Sequence, residues 1–124
     1  MSFKTTVLFL TGLLFISAGS MNSAEKSVMV KGYVLDSACA FTKNLEKPIS
    51  SDCAVSCAKA GSPLVILAED GNIYLPISKE IPAKGQNGML MKWAGQKVMV
   101  SGTVYERSGA HAIVIEKIEP VSSQ

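Results

Sequence analysis

The chain has 124 residues, with 12 Lys and Arg against 10 Asp and Glu, for a formal net charge of +2 at pH 7. So close to neutrality, it offers no basic field for nucleic acid and no acidic tail. With one His and 3 Cys, any chemistry beyond ordinary binding rests on few groups.

The N-terminus reads as a secretory signal peptide. Lys4 is the only charge before Glu25, residues 7–16 (VLFLTGLLFI) are almost pure hydrocarbon, and small residues follow at Ser17, Ala18, Gly19, Ser20, Ser23 and Ala24. A charged start, a short apolar run and a small-residue exit are its parts. The run is too short to cross a bilayer, which takes about 20 apolar residues. Cleavage is placed after Ala24, with Ala18 or Gly19 also suitable, and no cysteine near the exit offers a lipid anchor. Residues 25–124 then form a single domain with no membrane span, of 11 basic and 10 acidic residues once Lys4 is gone. The expected location is periplasmic or secreted.

Residues 27–36 (SVMVKGYVLD) alternate apolar positions and are rich in β-branched side chains, so they predict a strand. Gly32 within it marks a bend or a close backbone approach. Residues 44–49 read as a loop around Pro48. Ser50, Ser51 and Asp52 then supply N-cap chemistry before an Ala-rich run, and Gly61 supplies a stop. A helix is expected over 52–60, which sets Cys53 and Cys57 four residues apart on one face.

Residues 63–68 (PLVILA) and 72–77 (NIYLPI) flank the turn Glu69-Asp70-Gly71-Asn72 and predict a hairpin. A short helix is expected over 87–94, from the spacing of Met89, Leu90 and Trp93. Residues 96–106 (QKVMVSGTVYE) and 110–118 (AHAIVIEKI) form a second hairpin around Arg107-Ser108-Gly109. The expected fold is mainly β: a small OB-like five-stranded barrel with one or two short helices and a Cys-bearing loop and helix at 36–61. An open α+β sheet is the alternative.

The combination Gly32-Tyr33-Val34-Leu35-Asp36-Ser37-Ala38-Cys39, Cys53-Ala54-x-x-Cys57-Ala58-x-x-Gly61, an Asp-Gly turn with Tyr74 two residues after Asn72, and Ala94-Gly95-Gln96-Lys97-Val98-x-Val100-x-Gly102 resembles a group of small exported bacterial proteins of uncharacterised function. They carry a G-x-[VI]-x-D-S-x-C opening and an aGkkVxVxG strand. The resemblance covers nearly all of residues 25–124. It implies an OB-like fold and a cysteine site, and it brings no activity. Members often carry a His beside the second cysteine region, where this chain has Ser50, Ser51 and Asp52.

Two uses of the cysteines stay open. As thiolates, Cys39, Cys53 and Cys57 suit a soft metal, copper as Cu(I) or Zn(II). A fourth ligand is available from Asp36, His111, Met89 or Met91. The alternative is a disulfide from Cys39 to Cys53 or Cys57, which staples an interaction module. Its ligand or partner protein would meet the barrel face, where Tyr33, Tyr74, Trp93 and Tyr105 offer stacking surfaces. Closing a loop of about 15 residues contributes roughly 3 kcal/mol. A Cys53–Cys57 bridge would join adjacent turns of one helix and pin nothing. Three is an odd number, so a staple leaves one thiol over. Cys39 decides between the readings, because its partner separates a staple from a site.

Enzyme chemistry is the least favoured class. No Gly-rich phosphate loop, H-E-x-x-H or C-x-x-C-H motif occurs. Thiol redox chemistry is a lesser reading: Cys53 falls in the first turn of its helix, but thioredoxin-type C-x-x-C spacing is absent. His111, Met89, Met91 and Asp36 each have an ordinary role as well, in a strand, in core packing and in a turn cap.

Overall fold

The computed structural model describes residues 24–43 and 49–122. The expected signal segment, apart from Ala24, and the loop at 44–48 lie outside the described residues. Chain order is β1 (Ala24–Asp36), α1 (Ser37–Thr42), α2 (Ser51–Lys59), β2 (Leu64–Ala68), β3 (Ile73–Pro76), α3 (Asn87–Leu90), a 3₁₀ turn (Met91–Trp93), β4 (Lys97–Arg107) and β5 (Ala110–Pro120). The strands close into a barrel in the order β1-β2-β3-β5-β4. Neighbours are antiparallel except β3 and β5, which run parallel. This is the OB-like barrel the alternation predicts, not the open sheet. No helix among the described residues is long and apolar enough to cross a membrane.

Strand alternation sets the inside. Val98, Val100 and Val104 of β4 point inward, as do Val30 and Val34 of β1. Gly32 lies opposite Ala68 of β2, where a Cβ would run into the carbonyl oxygen of Leu67. The glycine therefore marks a close approach between strands. β1 begins three residues earlier than its sequence pattern, because Ala24, Glu25 and Lys26 pair with Glu106, Tyr105 and Val104. Polar residues carry no apolar period, so only the partner strand reveals them.

β2 is buried on both faces. Leu64, Ile66 and Ala68 enter the barrel core with Ala54 and Ala58 of α2 and Leu90 of α3. Val65 and Leu67 face the other way, into a second cluster with Leu35 of β1 and Ala40 of α1. Full burial of each large aliphatic side chain contributes about 1.5–3 kcal/mol. The barrel thus has two apolar layers: α2 and α3 pack into the inner one, and α1 covers the outer one.

Both Cys-bearing helices start and stop on local chemistry. Ser50 caps α2 by accepting the Cys53 N–H at 3.2 Å. At the other end Ser62 N–H donates to the Cys57 carbonyl and Gly61 N–H to that of Ala58, with Gly61 at φ 102°. That pair is a Schellman stop, and its left-handed residue favours glycine. α1 was expected as loop. It is a helix because Asp36, at the end of β1, accepts the Cys39 N–H at 3.2 Å and Ala40 drops into the outer layer.

Candidate functional site

Asp36 is the centre of the site. It is 1% exposed, the buried charged residue of the barrel's core. Its Oδ2 accepts the N–H of Cys39 and the hydroxyl of Ser62, the latter at 3.4 Å. Its Oδ1 is buried with no donor in hydrogen-bonding geometry. Among the described residues it has no ion-pair partner. Burial works against its charge, but the Cys39 thiol, the backbone N–H groups of Cys39 and Ala38, and the Ser62 hydroxyl outweigh that, so its carboxyl lies below the ordinary 3.8.

The Cys39 and Cys57 thiols both feel this carboxylate, and Cys53 neighbours each of them. Cys39 is half-buried on α1, Cys57 is half-buried on α2, and Cys53 is exposed one turn before Cys57. The Cys39 thiol is pushed up to about 12, first by donating toward the Asp36 carboxylate, then by burial, by the charge of Asp36 and by the neighbouring Cys53. The Cys57 thiol is pushed up from 9.0 by burial first, then by Asp36 and Cys53. A negative charge beside a thiol disfavours the thiolate. At neutral pH Asp36 is therefore charged, and Cys39 and Cys57 keep their protons.

All three cysteines are free, so no disulfide from Cys39 to Cys53 or Cys57 is formed among the described residues. Nor does any group of three or more Cys, His, Asp or Glu among them stand at ready-made metal-holding geometry. Cys39 and Cys57 neighbour Asp36, but the three sulfurs are not preset as a ligand cage.

Of the four extra ligands read from the sequence, Asp36 lies with the thiols. His111 sits on β5, with Nε2 3.3 Å from Glu106 Oε1 and its ring against Tyr74. Met91 packs against the barrel core and Met89 is exposed on α3. His111 and Met91 follow their ordinary roles, whereas Met89 does not take the core-packing role expected of it.

The aromatic residues do not form a shared platform. Tyr105 Oη donates to Glu25 Oε1 at 2.9 Å, Tyr33 lies under Lys97, and Trp93 packs on the core. A groove between α1 and the β3–β5 pair is lined by Phe41, Ile73, Leu75, Ala110 and His111.

Two residues of the site carry no motif. Ser62 bridges Ser37 and Asp36 through its hydroxyl. Asn87 accepts the Leu64 N–H at 2.8 Å and donates to the carbonyls of Ser62 and Ala58. It therefore ties the end of α2, the start of β2 and the start of α3 together. The only signal in the sequence is a lone Asn between Gly85 and Gly88, at the head of the expected short helix. A comparison with protein-family models, curated proteins and solved structures finds no match to this chain.

Proposed function

We propose that this is an exported binding or accessory protein whose α1–α2 end holds a soft metal ion, Cu(I) or Zn(II), through Cys39, Cys53 and Cys57, with Asp36 beside them. One observation carries the reading. Cys39 and Cys57 carry free thiols that feel the buried Asp36 carboxylate, Cys53 neighbours both, and Asp36 Oδ1 has no hydrogen-bond partner. A buried acceptor left unmet costs about 1–3 kcal/mol, so an arriving cation relieves a standing penalty. Thiolates supply the soft donors, and the carboxylate offers Zn(II) an oxygen to complete a tetrahedral set. Because the sulfurs are not preset, binding includes rotation of thiol side chains about their helices. It also drives protons off Cys39 and Cys57.

The test is metal loading of the reduced chain under anaerobic conditions, with thiol counting on protein taken from its native compartment. The expected result is three free thiols, uptake of a single equivalent of metal against a chelator, and loss of that uptake in Cys57→Ala. A disulfide in the native protein, together with no uptake by the reduced form, overturns the metal reading. That result favours the stapled interaction module instead.

A further inference from the structure

We propose that the N-terminal half of β1 is a self-association edge, on which a second copy of this chain adds its own β1, antiparallel about a two-fold axis at Ser27. The proposal is independent of the metal reading. β1 pairs with β4 from Ala24 to Tyr33 but with β2 only from Gly32 to Asp36. Among the described residues, 24–30 therefore have a strand on one side only. Printed hydrogen bonds fix which groups face the open side. The Lys31 carbonyl accepts the Glu69 N–H on the β2 side, whereas Val34 bonds to Gln96 and Gly95 on the β4 side. Backbone groups alternate between the two sides of a strand, and the β1–β4 register runs without a shift. The N–H and C=O groups of Glu25, Ser27 and Met29 thus point into the open side. Side chains there are accessible too: Glu25, Lys26 and Ser27 are exposed, and Met29 is 72% exposed. Free edges are commonly guarded by prolines and bulges. β5 beyond Ile113 carries both, in the register shift that leaves Glu116 unpaired and in Pro120. β1 has neither over 24–30.

The open stretch is its own complement. Glu69 occupies the place beside Lys31, so a new ladder lies within 24–30, whose midpoint is Ser27. Antiparallel pairing about that midpoint sets Ser27 against Ser27, Glu25 against Met29 and Lys26 against Val28 of the second copy. No like charges stand directly opposite. Diagonal neighbours come within reach of long side chains. Glu25 of each copy falls diagonal to Lys31 of the other, whose side chain is 40% exposed. These two attractive contacts outnumber the single repulsive one, between the two Lys26 side chains. A notch lined by Met29, Lys31, Glu69 and Tyr74 leaves room for the incoming chain end. A ladder this short buries less than the roughly 1,200 Å² of a stable interface, so the dimer is weak and forms at high concentration.

The experiment is sedimentation velocity on the exported chain from micromolar to millimolar concentration. Reductant and a chelator are present, so neither a disulfide nor a metal joins the copies. A dimer is expected at the upper end, with amide exchange at Ser27 and Met29 slowing as it forms. Ser27→Pro removes an N–H that the barrel does not use, and proline is tolerated at such an edge position. It is expected to weaken the dimer by about tenfold or more with the melting temperature little changed. Met29→Glu sets like charges opposite each other at Glu25 and weakens it as well, whereas Met29→Lys sets opposite charges there and strengthens it. A monomer at every concentration, exchange at Ser27 and Met29 that ignores concentration, or equal loss in Met29→Glu and Met29→Lys overturns the proposal and leaves the metal reading standing.

Discussion

The backbone N–H of Cys39 donates to Asp36 Oδ2 at 3.2 Å, and the thiol of the same cysteine lies against the same carboxylate. One side chain thus starts α1 and sets the protonation of the residue that α1 presents. Asp36→Asn keeps a capping oxygen and removes the charge. The Cys39 titration is expected to fall from about 12 toward the ordinary 9.0, read from the pH profile of thiolate absorbance. Asp36→Ala also loses the cap, at a cost of about 1 kcal/mol in denaturant unfolding.

Alkylation is expected to follow depth. Cys53 is exposed, whereas burial and Asp36 hold the protons on Cys57 and Cys39. At mildly alkaline pH, iodoacetamide followed by peptide mass spectrometry should mark Cys53 first, because the thiolate is the nucleophile and must be reached. Equal labelling of all three would contradict the arrangement.

Metal choice is expected to depend on the carboxylate. Zn(II) accepts an oxygen ligand readily, while Cu(I) is satisfied by sulfur. Asp36→Asn should weaken Zn(II) more than Cu(I), by a factor of about 10–100 for Zn(II), measured by chelator competition. Zn(II) loading of the unsubstituted chain should release protons into weakly buffered solution, since Cys39 and Cys57 start protonated.

Asn87→Ala tests the tie between α2, β2 and α3. It strands the Leu64 N–H and removes the donor to the Ser62 and Ala58 carbonyls. Leaving such groups unmet costs about 1–3 kcal/mol, seen as a lower denaturation midpoint. If α2 also shifts, metal affinity falls although no ligand has changed.

A separate relationship sets the response to acid. Glu69, at the end of β2, is held below its ordinary 4.5 first by hydrogen bonding to Lys97 of β4, despite some burial, and then by the charge of Lys31 on β1. A depressed carboxylate contributes stability above its unfolded pKa and loses it as pH falls through the lower folded value. Glu69→Gln should therefore flatten the drop in melting temperature below about pH 4.5. The effect is small, because Glu69 is half-exposed.

Most of the barrel was legible from period-two alternation. Val98, Val100 and Val104, and Val28, Val30 and Val34, announce inward faces, and Asp70-Gly71 and Ser108-Gly109 announce turns. The loop at Ser108-Gly109 takes positive φ at both residues, which suits the twist of a tight hairpin. α2 was legible from Ser50 and Gly61. α1 was not, because a six-residue helix is too short to show a period and its outward neighbours sit on another strand. The expected set was Cys39, Cys53 and Cys57 with Asp36, His111, Met89 or Met91 as a further ligand. That Asp36 lies near Cys39 while His111 lies elsewhere follows from strand register. β1 ends beside the start of β2, where Asp36 pairs with Leu64, whereas His111 leaves on the far parallel pairing with Tyr74.

β2 faces two apolar layers at once, so its residues fall into two sets with separate consequences. Leu64 and Ile66 keep the barrel closed, while Val65 and Leu67 support only the layer on which α1 rests. Damage to the second set would release Cys39 from its companions and spare the barrel. The thiol site and the fold that carries it can therefore fail independently, and a change on one side of a single strand is enough to part them.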